Sequence, residues 1–469
     1  VVSRGTARTA FLFGVLGFLI SVAGSWQPSY WGDEAASVMS AERSLPSLFR
    51  MLGHIDAVHG SYYLFLHYWI GLFGASEFST RMPSAIAIGV ATAGTVVLAR
   101  TLVNTRVAII AGVVFAILPR VTNMGAEARS AAMATATVVW ATVLLVHILR
   151  RERETGRIPV WLWAGYAVLT AIGAYLFLYA ILLIPVHAVA VMLAPRRQSG
   201  RRTSIVPWMV SIAGALLVSG PILYWGLHER DQISFIGRRP QVSVLEAAIN
   251  QWFGNPTLAW AAWCLVALAV VAVFGTRRAR MADGRSVRRV LVIALAWMLF
   301  PSIVLLLGTR LITPMYSLRY LSMCAPAAAI AIAIGIASIR LGWLQVAAVA
   351  AVVALAVPSY LEQRGPYGKD DGSDWRQAAA VVAAGAHPGD AVVFDETGRP
   401  SQKPRLALHL YPAAFQGLRD IALKRPYYET NWLWDTTKPL DQVTSQLSNT
   451  GTVWLLHNRV SKESTSGTK

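Results

Sequence analysis

The chain alternates long apolar runs with short polar breaks. The first run, from Thr9 to Trp26, is long enough to cross a bilayer as a helix. Further runs follow at 81–102, 107–119, 130–148, 160–175, 178–193, 205–227, 258–274, 290–308, 320–339 and 343–358. Together they predict about eleven spans. One apolar stretch, 61–74, is short for a crossing and rich in aromatics. Counting it as a span would invert every later loop, so it is expected to be an interfacial helix on the outer surface. Ala35–Leu52 is expected to be a second, with Val38, Leu45, Leu48, Phe49 and Leu52 on its apolar side. After Pro358 the pattern changes. A polar, Gly-rich linker covers 365–373, and Asp374 is a natural N-cap for a helix over Trp375–Ala384. A turn at His387–Asp390 leads to a strand at Ala391–Phe394, with another at Val453–Leu456. The expected fold class is an α-helical polytopic membrane protein with two interfacial helices in the first outer loop and a small C-terminal α/β extracytoplasmic domain. The expected division is a membrane domain over 1–360, including the outer loop 28–80, and the α/β domain over 361–469.

Composition agrees. The 469 residues are 55% hydrophobic and 14% charged, against about 25% charged in ordinary soluble chains. The net charge of +18 would suit nucleic acid, but its position argues against that. Arginines cluster in short loops between apolar runs: Arg150, Arg151, Arg153 and Arg157; Arg196, Arg197, Arg201 and Arg202; Arg277, Arg278, Arg280, Arg285, Arg288 and Arg289. This is the positive-inside pattern and makes those loops cytoplasmic in a plasma membrane. The first outer loop and the tail then face outward. Cys264 and Cys324 lie in apolar runs and offer neither a disulfide framework nor metal-ligand spacing.

Polar residues gather in the outward-facing breaks. Trp31-Gly32-Asp33-Glu34 follows the first span, and adjacent acids at such a boundary are costly unless they face water or a partner. Asp56-Ala57-Val58-His59-Gly60 leads into Tyr62-Tyr63. Arg81-Met82-Pro83-Ser84 opens the second span, Glu127-Ala128-Arg129 precedes another, and Tyr316-Ser317-Leu318-Arg319-Tyr320 starts a late one. Each has a plain alternative. Arg81 or Arg319 could anchor a helix end by snorkelling, and a single loop histidine such as His59 is weak evidence. Glu127 and Arg129, two apart, do not face each other on a helix. Together the stretches suggest a catalytic cavity at the membrane surface, with proton-accepting carboxylates beside arginines able to hold a phosphate.

The order of these motifs resembles the GT-C superfamily of membrane glycosyltransferases. More narrowly, it resembles the branch holding the protein O-mannosyltransferases and bacterial aminoarabinose transferases. That branch has an acidic motif in its first outer loop, here Asp33-Glu34 after Trp31-Gly32. It then has His-Pro-Pro-Leu-Tyr-Tyr before a helix ending in Phe-Gly. Here His59-Gly60-Ser61-Tyr62-Tyr63 and Phe73-Gly74 correspond, without the two prolines. Arg-Leu-Pro-Ser appears as Arg81-Met82-Pro83-Ser84, a Glu-Ala-Arg motif as Glu127-Ala128-Arg129, and a late Arg-Tyr as Arg319-Tyr320. The resemblance covers about residues 9–340.

The resemblance implies a GT-C fold, a polyprenyl-phosphate sugar as donor and a cell-envelope glycan, lipid or protein as acceptor. Asp33 would be the base or would orient the acceptor hydroxyl. Arg129 and Arg319, then Arg81, would stabilise the phosphate leaving group. Glu34, Glu127 and His59 would bind sugar hydroxyls or tune Asp33. Tyr62, Tyr63, Tyr316 and Tyr320 would contact sugar, although interfacial belting explains aromatics there equally well. No metal cluster or organic cofactor is expected, and a divalent ion shared by Asp33 and Glu127 is left open. Mannose is the first choice of sugar. The Ala-, Val- and Arg-rich composition suggests a high-GC bacterium, which makes arabinofuranose or aminoarabinose the second. A lipid or sugar transporter, or a flippase, is the rival from another class. It predicts ionisable residues deep in the spans, whereas the acids here crowd one surface.

Overall fold

The computed structural model describes residues 4–157, 159–194, 204–230, 232, 241–275, 282–369, 372, 374–448 and 450–458. The chain forms two compact units. One comprises 1–25 and 81–361, the other 26–80 and 362–469. The first outer loop and the C-terminal segment, more than 280 residues apart in sequence, therefore fold as one body. Arg196, Arg197, Arg201, Arg202, Arg277, Arg278 and Arg280 lie outside the described residues, as does the Arg285 side chain.

In chain order the helices begin with α1 (Arg4–Val22), then α2 (Gly32–Glu42), α3 (Leu45–Leu52) and α4 (Gly60–Phe73) in the outer loop. Next come α5 (Glu77–Leu102), α6 (Thr105–Ile117), α7 (Pro119–Gly125), α8 (Ala131–Thr155), α9 (Val160–Leu176), α10 (Leu183–Leu193), α11 (Ile205–Val218) and α12 (Gly220–His228). They are followed by α13 (Val244–Asn250), α14 (Pro256–Gly275), α15 (Ala282–Leu311), α16 (Ala325–Ser338) and α17 (Gly342–Glu362). Among the described residues, six helices are long and apolar enough to span a membrane, or eight if two bent pairs each count as one. The bends have chemical causes. Pro119 and Pro221 each lack an N–H and disfavour helix in the residue before them. α6 and α7 meet at 61°, α11 and α12 at 56°. Three shorter apolar helices cover 160–176, 178–193 and 322–338. The protein is a multi-pass membrane protein.

α16 is the axis of the membrane unit. Every residue from Ala325 to Ile336 is buried. Small residues alternate with isoleucine there, so neighbouring backbones can approach closely, as membrane packing requires. Inside the same unit His187 joins three helices. Its ring nitrogens lie 2.9 Å from Thr142 Oγ1 and 2.8 Å from the Tyr166 hydroxyl, and Trp208 Nε1–H donates to that hydroxyl at 3.3 Å. A buried imidazole without such partners would be costly.

The second unit has a mixed core. α18 (Trp375–Gly385) begins as expected, with the Asp374 side chain accepting from the Gln377 N–H at 3.0 Å. The strands are β1 (Ala391–Phe394), β2 (Arg419–Asp420), β3 (Leu423–Arg425), β4 (Thr436–Thr437) and β5 (Val453–Leu456). β1 runs parallel between β2 and β5, while β3 and β4 form a separate antiparallel pair. All four residues of β1 are buried, as suits a central parallel strand. α19 (Leu406–Leu410) and α20 (Thr444–Ser448) complete it. Tyr30, Ala35, Val38 and Met39 share one hydrophobic cluster with Trp375, Val382, Phe394, Leu406 and Phe415.

The single helix expected over Ala35–Leu52 is instead two. The backbone is extended at Arg43 and Ser44, and Pro46 lies in the first turn of α3, where proline begins a helix rather than continuing one. α2 is not a surface helix. Nine of its eleven residues are buried, because α4 and the C-terminal segment both pack against it.

Candidate functional site

The acid motif is set by helix start and close packing. Asp33 and Glu34 occupy the first turn of α2, where the helix dipole favours negative charge. Asp33 is half-buried and Glu34 wholly buried. The Ser37 hydroxyl donates to the Asp33 carbonyl at 3.0 Å, which ties the first two turns together. Glu34 Oε1 lies 3.9 Å from the buried ammonium of Lys369. Gly32 admits the chain so close to its neighbour that a Cβ there would lie 2.1 Å from the Ser401 carbonyl oxygen. Gly32→Ala is expected to displace the acid motif and to destabilise the protein by about 1–3 kcal/mol, read as a lower melting temperature.

Asp56 has a left-handed backbone, φ 63°, which is costly for a residue with a Cβ and recurs at functional sites. The Tyr63 hydroxyl donates to Asp56 Oδ2, and His59 Nε2 lies 3.9 Å from Oδ1. The His59 and Tyr63 rings are 6.0 Å apart. His59 and Tyr63 thus join Asp56 in a small polar group at the start of α4. Tyr62 and Tyr63 are both buried.

In the membrane unit Arg81 is completely buried, and its Nη1 donates to the Ser25 carbonyl at 2.6 Å. It is therefore not a snorkelling anchor. The Ser84 hydroxyl donates to the Arg129 carbonyl at 3.2 Å, so the Arg81–Ser84 motif meets the Glu127–Arg129 motif. Glu127 is buried and Arg129 half-buried. The late motif is held by its own network. Tyr316 is buried and donates to Gln251 Oε1 at 2.6 Å. Burial pushes the Tyr316 phenol well above its ordinary value, against the opposing charge of Arg120. Arg120 caps the carbonyls of Gln251 and Asn250 at 3.0 and 3.2 Å, and Trp252 Nε1–H donates to the Leu321 carbonyl at 3.2 Å. The Arg319 carbonyl accepts from the Ser322 hydroxyl at 2.6 Å, and Arg319 itself is half-buried. The Tyr320 ring sits 5.3 Å from Tyr179 and 5.9 Å from Phe177. Among the described residues, no three His, Cys, Asp or Glu side chains are grouped to hold a metal ion.

Asp56 belongs to a stretch singled out from the sequence, which assigns it no role; Lys369, Arg120, Gln251 and Tyr179 carry no such signal. These lie far along the chain from the residues they touch.

Three comparisons bear on this arrangement. Residues 61–225 match a family described as dolichyl-phosphate-mannose-protein mannosyltransferase. No curated protein matches the sequence. The structure resembles ArnT from Cupriavidus metallidurans bound to undecaprenyl phosphate, with a TM-score of 0.56 and 14% identity, over 85% of this chain and 84% of that one. The chain has the GT-C fold. The oligosaccharyltransferase of Archaeoglobus fulgidus, solved with zinc and sulfate, is similar at a TM-score of 0.51 and 14% identity. There the likeness covers 81% of this chain and 55% of that one. A second structure, AglB from the same organism with an inhibitory peptide and a dolichol-phosphate, has a TM-score of 0.52 and 11% identity, over 82% and 59% of the two chains. At such identities the shared property is the GT-C fold itself.

Proposed function

We propose that the protein transfers a sugar from a polyprenyl-phosphate donor to an acceptor on the outer face of the plasma membrane. The observation that carries this reading is the family match over 61–225, which takes in Arg81 and Glu127–Arg129, in a chain of GT-C fold. The matched family's description names a dolichyl-phosphate mannose donor, and the similar ArnT structure holds undecaprenyl phosphate. All three shorter apolar helices are taken as crossings, which gives about eleven spans and an outward C-terminal segment.

In this reading Asp33 accepts the proton of the acceptor hydroxyl or orients it. The acceptor oxygen attacks the anomeric carbon, and polyprenyl phosphate leaves. Phosphate needs charge stabilisation more than protonation, and guanidiniums supply it bidentately. Arg129 and Arg319 take that role. Arg81, wholly buried on the Ser25 carbonyl, is the weakest of the three candidates. Glu34, Glu127 and His59 support sugar binding or Asp33, and Tyr62, Tyr63, Tyr316 and Tyr320 are the candidates for sugar or acceptor contact. Mannose is the first sugar to test, and arabinofuranose and aminoarabinose the next.

The test is sugar transfer and polyprenyl-phosphate release by the purified protein in nanodiscs. Arg129→Met and Arg319→Met are each expected to lower kcat/KM for donor by about 10²–10³-fold. Failure of the unaltered protein to consume any of the three lipid-phosphate sugars overturns the reading. Sugar-lipid movement across vesicles without transfer would instead favour the transporter.

A further inference from the structure

The stretch 365–373, which reads as a polar, Gly-rich linker, is wound into successive turns where it is described. Gly365 N–H donates to the Glu362 carbonyl at 3.1 Å, Gly368 N–H to Gly365 at 3.0 Å, and Gly372 N–H to Lys369 at 2.9 Å. A Cβ on Gly368 would lie 2.5 Å from the Glu362 oxygen and 2.8 Å from the Gln363 carbonyl carbon, so a side chain is excluded there. These turns deliver Lys369 into the interior of its unit. Its side chain is 4% exposed and its Nζ lies 3.9 Å from Oε1 of Glu34, which is 0% exposed.

Lysine is among the residues least often buried, and burying an ammonium is expensive unless an opposite charge is near. Here that charge belongs to the acid motif, one residue from Asp33. Ordinary linker chemistry needs no buried cation. The compact turns and the glycine that permits them are instead what is required to place one.

We propose that Lys369 is a positioning residue of the acid motif, countering the buried charge of Glu34 and so fixing the first turn of α2 that carries Asp33. This rests on the glycosyltransferase reading for its functional consequence, but not for the pairing itself. It gives the C-terminal segment a role, since that segment supplies a cation to the motif in the first outer loop.

Two double-mutant cycles test the proposal, both on the full chain in nanodiscs. In the first, melting temperatures of Lys369→Met, Glu34→Gln and the double variant are compared. The double variant is expected to lose less than the sum of the single losses, because removing both charges leaves neither uncompensated. Additive losses overturn the pairing. Where Lys369→Met does not fold, refolding in the double variant supports the pair, and failure of both overturns it. In the second, Lys369→Met is expected to lower kcat at least about tenfold in the unaltered background and less than about twofold beside Glu34→Gln. Lys369→Arg, which keeps the charge, is expected to retain activity within about threefold. An equal loss of kcat in both backgrounds means that Lys369 does not act through Glu34, and overturns the positioning role. If no lipid-phosphate sugar is consumed by the unaltered protein, the glycosyltransferase reading falls, and the melting cycle alone decides the pair.

Discussion

Asp33→Asn is expected to lower kcat by about 10²–10⁴-fold while leaving the protein folded. The carboxylate sits half-buried in the first turn of α2, whose backbone the Ser37 hydroxyl ties to Asp33, and in the proposed mechanism it takes the acceptor proton. Asparagine is nearly isosteric and is well tolerated near a helix start, but it cannot take a proton. Donor affinity is expected to change little, because the loss concerns an interaction made in the transition state. Steady-state kinetics with a saturating lipid-phosphate sugar, and a melting curve on the same sample, check both halves. Activity within threefold of the unaltered protein would remove Asp33 from the mechanism. A melting temperature lowered along with activity would make its role structural.

The second large effect concerns stability. Arg405→Met is expected to destabilise the unit holding the C-terminal segment by about 3–5 kcal/mol. Arg405 is buried, and its guanidinium bonds Glu396 at 2.9 Å, reaches Asp435 at 3.4 Å and pairs with Asp420. Burial opposes its charge most strongly, but the bonds and charges of Asp420, Glu396 and Asp435 together outweigh that and hold Arg405 above its ordinary value. Without the guanidinium, three carboxylates face one another. Methionine fills the volume but offers no donor: Lys403 still bonds Glu396 and His409 still bonds Asp435, while the Asp420 carboxylate loses its guanidinium partner. A fall of about 10 °C in melting temperature is the expected readout.

The same cluster sets an acid limit. Burial would raise Asp435, but hydrogen bonds from His409 at 2.7 Å and from the Tyr427 N–H at 2.7 Å, with the charges of His409 and Arg405, hold it below its ordinary 3.8. A carboxyl with a lowered folded-state value binds fewer protons when folded. Its stabilisation is therefore complete above pH 3.8 and is lost as the pH falls through the lower folded value. Asp435→Asn is expected to remove that part of the acid dependence, measured as melting temperature between neutral pH and pH 3.

Much of this protein was legible in the linear pattern. Membrane helices must satisfy their own backbones and be apolar over a set length, so α5, α8, α14, α15 and α17 stand out without any knowledge of neighbours. α18 and the strands β1 and β5 were also readable, because a capping aspartate and short apolar runs are local signals. The motifs naming Asp33, Arg81, Glu127, Arg129 and Arg319 are local too. The two-residue strands β2 and β4 were not legible, since so short a run carries no period and exists only through its pairing. Nor was the break between α2 and α3, where Pro46 outweighed a continuous apolar stripe.

By itself, then, the sequence determined a polytopic helical membrane protein and the chemistry of its candidate residues. Hydropathy, capping and charge placement act within a few residues of one another. Only the tertiary structure decided that the first outer loop and the C-terminal segment form one body, that α2 is buried, and that Lys369 lies against Glu34. Those outcomes depend on residues hundreds of positions apart sharing a core and an ion pair. No local propensity encodes which distant charge will compensate a buried carboxylate.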